Sequence, residues 1–576
     1  MPPEKQLPMP MEPELRDRGI FRLNAVRPNL IDDVVARTTA EFAGKPAENQ
    51  LSETLYLERR RLRNFHPTVF TKGRKDRDLR LYNDLQKGLL RSPGEADRGA
   101  MLERVTRHFA EEIGGHFDPA IYRIASHAVP WGFNWLLNAA SVRRFLPWGL
   151  TESLESRINV HGEIDSLRAL SRRGTILLVP THQSNIDSVL IGYIIYLLGL
   201  PPFAYGAGLN LYSNPVLNFF MSNLGAYTVD RAKTNEIYKS TLKNYSIALL
   251  QEGIHSIFFP GGGRSRSGAV ESKLKLGLLG TGLQAQIQGY QAGKPNPNVY
   301  VVPMVMSYHF VLEAASLIEA YLAESGGHRF ILAGDESWQV SKVARFFWKF
   351  FSSQAGLHVS IGRPLDVFGN FVDEEGRSIG PNGTLIDPKR WLMTRGELCA
   401  DEQRDREYTR ELGRKIVDRF HRENVVLTSH AVAFAFFEMI RQKYPDFDLY
   451  RILRLSHAQR SRPTDDFLSY AEGLRQRLID AEKRGDLKLS DELRSGSGAM
   501  SGPSPLPAWI ADGMAQLGLL HESPVLEVSE DIISAVDMNL LYYYRNRLSG
   551  YGLSILAETG GPRKSPGEHD EKGFLA

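Results

Sequence analysis

The stretch TILLVPTHQSNIDS, Thr175–Ser188, decides how the rest of the chain is read. Its first six residues are mostly apolar and β-branched and end on a proline, the pattern of a short strand. The next eight are polar and include His182 and Asp187. Behind them VLIGYIIYLLGL, Val189–Leu200, suits a buried helix but is too short for a bilayer-spanning helix of about 20 residues. Strand, polar turn and helix make one α/β step, with its polar residues just past the strand's carboxyl end.

The same rhythm recurs downstream. AYTV (Ala226–Val229), SIFFP (Ser256–Pro260), VYVVPMVMSY (Val299–Tyr308) and HVSIG (His358–Gly362) read as strands separated by helical stretches. The expected fold class is α/β, a mainly parallel sheet flanked by helices, over residues 158–370. Residues 1–157 read as a Pro-rich tail and a helical region, with a helix around Leu30–Phe42. Residues 371–555 read as mostly helical, with a linker near 494–507 and a last helical piece at Val525–Leu548; residues 556–576 read as a disordered tail.

Composition narrows the function. Apolar residues at 42% and charged residues at 24% describe a globular chain of 576 residues with ample core. A net charge of +3 is too small to point to a nucleic-acid partner. The single cysteine, Cys399, excludes an internal disulfide and a multi-cysteine metal site, and fits a cytosol-facing compartment. The N-terminal residues lack the apolar core of a secretory signal.

Three polar clusters follow three strands: His182 and Asp187 after TILLVP, Asp230-Arg231 after AYTV, and GGGRSRSG after SIFF-Pro. Ligands in open α/β sheets gather beyond the carboxyl ends of strands, so the three clusters predict one site. Of the fifteen histidines only His182 has an aspartate five residues later. A continuous helix turns about 500° over that interval, so a turn entering a helix is needed to bring the pair together. One reading is an N-cap cluster, with Ser184 or Asn185 capping and Asp187 in the first turn. The other is a dyad in which the carboxylate orients the imidazole and the imidazole serves as general base, a task suited to a group that titrates near pH 6.5 in model peptides. No GxSxG elbow occurs, which leaves a substrate hydroxyl as nucleophile.

Gly261, Gly262 and Gly263 allow close backbone approach to an anion, and Arg264 and Arg266, two apart in an extended loop, point the same way. Arg231 adds a third fork and Lys275 a point charge, so the expected acceptor is a phosphorylated alcohol. The alternative for Arg231 is an ion pair with Asp230 or another carboxylate. No Gly-Lys-Ser/Thr follows the glycines, which excludes a nucleotide P-loop.

Taken in order, these motifs resemble the four blocks of the glycerolipid acyltransferase superfamily. His182-Gln-Ser-Asn-Ile-Asp187 resembles its H-x-x-x-x-D block, and Gly225-Ala-Tyr-Thr-Val-Asp-Arg231 its second. Phe259-Pro-Gly-Gly-Gly-Arg264-Ser-Arg266 resembles the third, commonly F-x-E-G-[TG]-R-S-R, and the strand around Pro303, Val301–Tyr308, the fourth. KLGLLG (Lys275–Gly280), one residue further from the arginines than that pattern has it, and MSYHFVLE (Met306–Glu313) are similar to the branch that acylates glycerol 3-phosphate or dihydroxyacetone phosphate, as is YYYRNRL (Tyr542–Leu548) to the C-terminal region of the glycerol-3-phosphate enzymes.

The resemblance implies that His182 and Asp187 drive acyl transfer from acyl-CoA or acyl carrier protein to the sn-1 hydroxyl of glycerol 3-phosphate, with no metal and no cofactor beyond the acyl donor. It implies that Arg231, Arg264, Arg266 and Lys275 hold the acceptor phosphate. Dihydroxyacetone phosphate and lysophosphatidate are the alternative acceptors. The chain departs from the pattern at Gly261, where the family has a glutamate thought to help place the acceptor. That departure leaves open a catalytically weak, lipid-binding or scaffold protein, and Glu271 is a candidate substitute. Peripheral attachment to the cytoplasmic face of a membrane is expected, through SKVARFFWKFF (Ser341–Phe351), where basic and aromatic residues mix, or through the Trp131–Trp148 region.

Overall fold

The computed structural model describes residues 7–16, 19–65, 72–91, 94–126, 158–209, 215–325, 356–498, 506–519, 521 and 523–554. The two candidate membrane-docking stretches, Ser341–Phe351 and Trp131–Trp148, and the tail 556–576 lie outside them. The chain divides into two compact units. The first comprises Met1–Ser265, Val270–Glu313 and Phe330–Val425; the second comprises Arg266–Ala269, Ala314–Arg329 and Val426–Ala576.

The first unit is built on a seven-stranded sheet: β1 (Ile158–Gly162), β2 (Thr175–Pro180), β3 (Ala204–Gly208), β4 (Ala226–Val229), β5 (Ser256–Ile257), β6 (Val299–Ser307) and β7 (Leu357–Ile361). Their order across the sheet is β1-β7-β6-β2-β5-β3-β4. Every neighbouring pair is parallel except β6 and β7. Strand β2 is buried along its whole length, as a central strand covered on both faces must be. The chain leaves β2 toward β3 on one side, while β6 pairs with β2 on the other. The polar turn after β2 therefore opens at a point where strand order reverses, the place where open α/β sheets bind ligands.

Among the described residues four α-helices precede the sheet: α1 (Leu23–Phe42), α2 (Ala47–Arg63), α3 (Lys72–Leu89) and α4 (Glu95–Ile113). The helix expected around Leu30–Phe42 thus starts at Leu23. Residues of α1, α2, α3 and α4 share one apolar core with the helix Glu236–Gln251, among them Val34, Leu51, Tyr82, Phe109 and Tyr245. A second core on the sheet joins Val179, Leu279, Val301 and Phe420. The Gly/Asp-rich stretch after β7 forms a small antiparallel meander, Phe371–Val372, Ser378–Ile379 and Leu385–Ile386.

The second unit centres on the helix Thr428–Lys443, buried at most of its positions. Glu438 on that helix, itself fully buried, bonds Arg545 at 2.6 Å. The piece Val525–Leu548 is not helical throughout, contrary to expectation. Leu526–Ser529 and Ile532–Ala535 form an antiparallel hairpin, and the helix starts only at Met538. The hairpin turns at Glu530, whose φ is +54°. LEVS and IISA lack the 3.6-residue apolar repeat that a helix would need, and the β-branched Val528, Ile532 and Ile533 favour strands.

Candidate active site

The turn after β2 folds back on the helix that follows it. That helix runs Asp187–Leu197 and opens on Asp187. His182 and Asp187 meet: Nδ1 of His182 lies 2.8 Å from Oδ2 of Asp187. The same Oδ2 accepts the backbone N–H groups of Gln183 at 2.7 Å and Ser184 at 3.0 Å. Oδ1 accepts the Tyr308 hydroxyl at 2.6 Å. With the imidazole and three further donors on it, the fully buried Asp187 carboxylate is compensated and fixed. No side chain caps the helix at the expected Ser184 or Asn185; its N-cap residue is Ile186. The His182 ring stacks on Phe259 with centroids 4.2 Å apart.

Behind the turn lies Glu313, buried after the end of β6. It accepts the Ser184 hydroxyl at 2.7 Å and the Asn185 N–H at 3.1 Å, and Nη1 of Arg264 comes within 3.3 Å of it. Burial raises the Glu313 carboxyl above its ordinary 4.5, with Arg264 and the two hydrogen bonds opposing it. Ionising it therefore works against folding: its contribution to stability is complete below 4.5 and is lost as pH rises through the elevated value. The melting-temperature difference between Glu313→Gln and the parent should move in the variant's favour as pH rises from 4.5 toward neutrality. A pH-independent difference would contradict this.

The glycine loop after β5 carries the basic residues. Arg231, after β4, is exposed, and its Nη1 lies 4.0 Å from where a Cβ on Gly263 would be. Partial desolvation of the head group, and then the like charge of Arg264, hold its guanidinium below the ordinary pKa. Arg231 pairs with no carboxylate among the described residues. The neighbouring Asp230 instead lies 3.5 Å from Arg61 on α2 and accepts the Ala232 N–H at 2.9 Å. Arg61 and Lys233 sit in a buried network with Glu58, Asp78 and Glu112, so the N-terminal helices brace the segment bearing Arg231. Lys275 occupies the N-cap position of the helix Leu276–Gln291 without a side-chain capping bond, and its backbone N–H bonds the Pro260 carbonyl at 2.7 Å beside the glycines. Arg266 belongs to the second unit, where it pairs with the exposed Glu324 at 2.6 Å. Pro303 lies inside β6 opposite Val179, and its carbonyl accepts the Gly362 N–H at 2.8 Å, a role in the strand.

Neither Tyr308 nor Glu313 stands out in the sequence as a site residue, although both lie in the motif segments Val301–Tyr308 and Met306–Glu313. Their partners are 121 and 129 residues away, beyond any local pattern.

The histidine hydrogen-bonded to a buried carboxylate and the glycine loop bearing arginines both lie at the carboxyl ends of strands, His182 after β2 and the loop after β5. The acyltransferase family model matches residues 157–307, which supports the glycerolipid acyltransferase superfamily for this part of the chain. Within it, the chain resembles proteins named glycerol-3-phosphate acyltransferase. It is 33% identical to that of Pasteurella multocida over 251 residues, which is 43% of this chain and 29% of the relative. It is 28% identical to that of Shewanella sp. strain ANA-3 over 268 residues, 46% of this chain and again 29% of the relative. The chain thus spans less than a third of the length of the curated relatives it matches.

Proposed function

We propose that the protein transfers a fatty acyl group from an acyl thioester, acyl-CoA or acyl carrier protein, to the sn-1 hydroxyl of glycerol 3-phosphate. The hydrogen bond of 2.8 Å from His182 Nδ1 to Asp187 carries this reading. It assigns the N–H to Nδ1 and leaves Nε2 to take a proton. The acceptor hydroxyl gives its proton to Nε2 as its oxygen attacks the thioester carbonyl. The tetrahedral intermediate then collapses, the C–S bond breaks, and the thiolate leaves and regains the proton from the imidazolium. One base suffices because a thiolate is a good leaving group. Arg231 and Arg264, with Lys275 as a further cation, receive the acceptor phosphate.

The test is acyl transfer by the purified protein from acyl-CoA to glycerol 3-phosphate, dihydroxyacetone phosphate and lysophosphatidate in parallel. The highest kcat/KM is expected with glycerol 3-phosphate, and a clear preference for either alternative would overturn the acceptor assignment. Attachment to a membrane surface from the cytoplasmic side belongs to the same reading, since the donor chains and products are lipids. No helix among the described residues is long and apolar enough to cross a membrane. Recovery entirely in a soluble fraction without detergent or high salt would count against surface attachment.

A further inference from the structure

The three glycines beside the His182 turn leave gaps that charged side chains from elsewhere fill. A Cβ on Gly261 would lie 3.1 Å from Cγ of Glu271, and one on Gly262 would lie 2.8 Å from Cγ of Lys275. The third gap, at Gly263, faces Arg231. Gly262 also has a φ of +72°, which a side chain rarely adopts, whereas Gly261 is not among the positive-φ residues. At Gly261 a side chain would instead press on Glu271, which would have to shift by a few tenths of an ångström. Glu271 has a second contact that matters: its Oε1 accepts the backbone N–H of His182 at 2.7 Å. The His182 carbonyl in turn accepts the Ser265 N–H at 2.7 Å. Both backbone polar groups of His182 are thus held by the segment that runs from the glycine loop to Glu271.

We propose that Glu271 is a positioning residue for His182, and that residue 261 is glycine to make room for it. A carboxylate beside the glycine loop thus comes from position 271, with a task different from that of the acceptor-placing glutamate. It acts by fixing the backbone from which the imidazole projects, without touching substrate. In this view Gly261 is a mark of a rearranged working site rather than of lost chemistry. The rate readout rests on the acyl-transfer reading above; the structural readouts do not.

The experiment compares the parent, Glu271→Ala, Glu271→Gln, Gly261→Glu and the double variant Gly261→Glu/Glu271→Ala. The readouts are kcat and KM for glycerol 3-phosphate, melting temperature, and amide exchange in the peptide spanning His182. Glu271→Ala should lower kcat by roughly 10- to 100-fold with little change in KM, as expected for a misplaced base, and should speed exchange at His182. Glu271→Gln keeps an acceptor oxygen and should stay within about 3-fold of the parent, the mark of a hydrogen-bond acceptor rather than a charge. Gly261→Glu should lower both activity and melting temperature, because two side chains then compete for one space. The double variant should melt higher and turn over faster than Gly261→Glu alone. Losses that simply multiply in the double variant, or unchanged exchange at His182 in Glu271→Ala, would overturn the proposal. A parent inactive on every acceptor would instead sink the acyl-transfer reading, and exchange and melting would still decide the role of Glu271.

Discussion

Replacing His182 by alanine is expected to lower kcat for acyl transfer by roughly 10²- to 10⁴-fold, the usual contribution of a positioned general base. The fold should survive, because the imidazole is partly exposed and the Asp187 carboxylate would keep the Gln183 and Ser184 N–H groups and the Tyr308 hydroxyl. Asp187→Asn probes the other half of the pair. Three donors converge on Oδ2, so the amide oxygen should take that place and turn its NH₂ toward Tyr308, whose hydroxyl can rotate to accept. Geometry is then retained while the negative charge that stabilises the imidazolium is lost. A fall of similar order, roughly 10²-fold or more, should follow with little change in melting temperature. Because the two residues act as a unit, the double variant His182→Ala/Asp187→Asn should be no slower than the worse single variant. Steady-state rates beside thermal melts check all three; equal turnover by the parent and His182→Ala would remove the histidine from the chemistry.

The parts of this site that could be read from sequence are those whose partners are neighbours along the chain. TILLVP and the turn after it announce a strand, a bend and a helix within a few residues, and His182 and Asp187 meet because that bend is local. Strand β3, AYGAG, has two glycines and no β-branched residue and so little strand signal; its pairing with β4 and β5 places it in the sheet. The hairpin Leu526–Ala535 reads as helix in the sequence because a helix follows it directly at Met538. Long-range polar partners are a different matter. Glu313 bonding Ser184, Tyr308 bonding Asp187 and Glu271 bonding the His182 backbone depend on how β2, β5 and β6 lie side by side. The spacing of Arg264 and Arg266 suggested a shared anion, yet each has a carboxylate of its own.

That difference among the arginines sets the second large effect, expected at Arg231. Arg264 is partly committed to buried Glu313, so Arg264→Ala would remove the charge that favours the Glu313 carboxylate and raise its pKa further, and is expected to destabilise the fold. Any loss of activity there would mix unfolding with binding. Arg266 is paired on the surface, where such bonds contribute about 1 kcal/mol or less and yield easily. Arg231 combines exposure, a place over Gly263 and no carboxylate partner among the described residues, and it shares its field with Arg264. Two guanidinium groups that repel each other in the free protein gain when a phosphate dianion enters between them. A charge-assisted hydrogen bond contributes about 1.5–3 kcal/mol, so Arg231→Ala should cut kcat/KM for glycerol 3-phosphate by roughly 10- to 100-fold. The loss should fall mainly on KM, because the phosphate is bound alike in the ground and transition states. Melting temperature should hold or rise slightly, since removing one of two like charges relieves repulsion. Arg231→Lys should recover only part of the loss, a point charge lacking the bidentate fork. Steady-state titration of glycerol 3-phosphate at saturating acyl-CoA separates the outcomes: an unchanged KM would mean that the phosphate is held elsewhere, and a fall confined to kcat would move Arg231 from binding to the reacting centre.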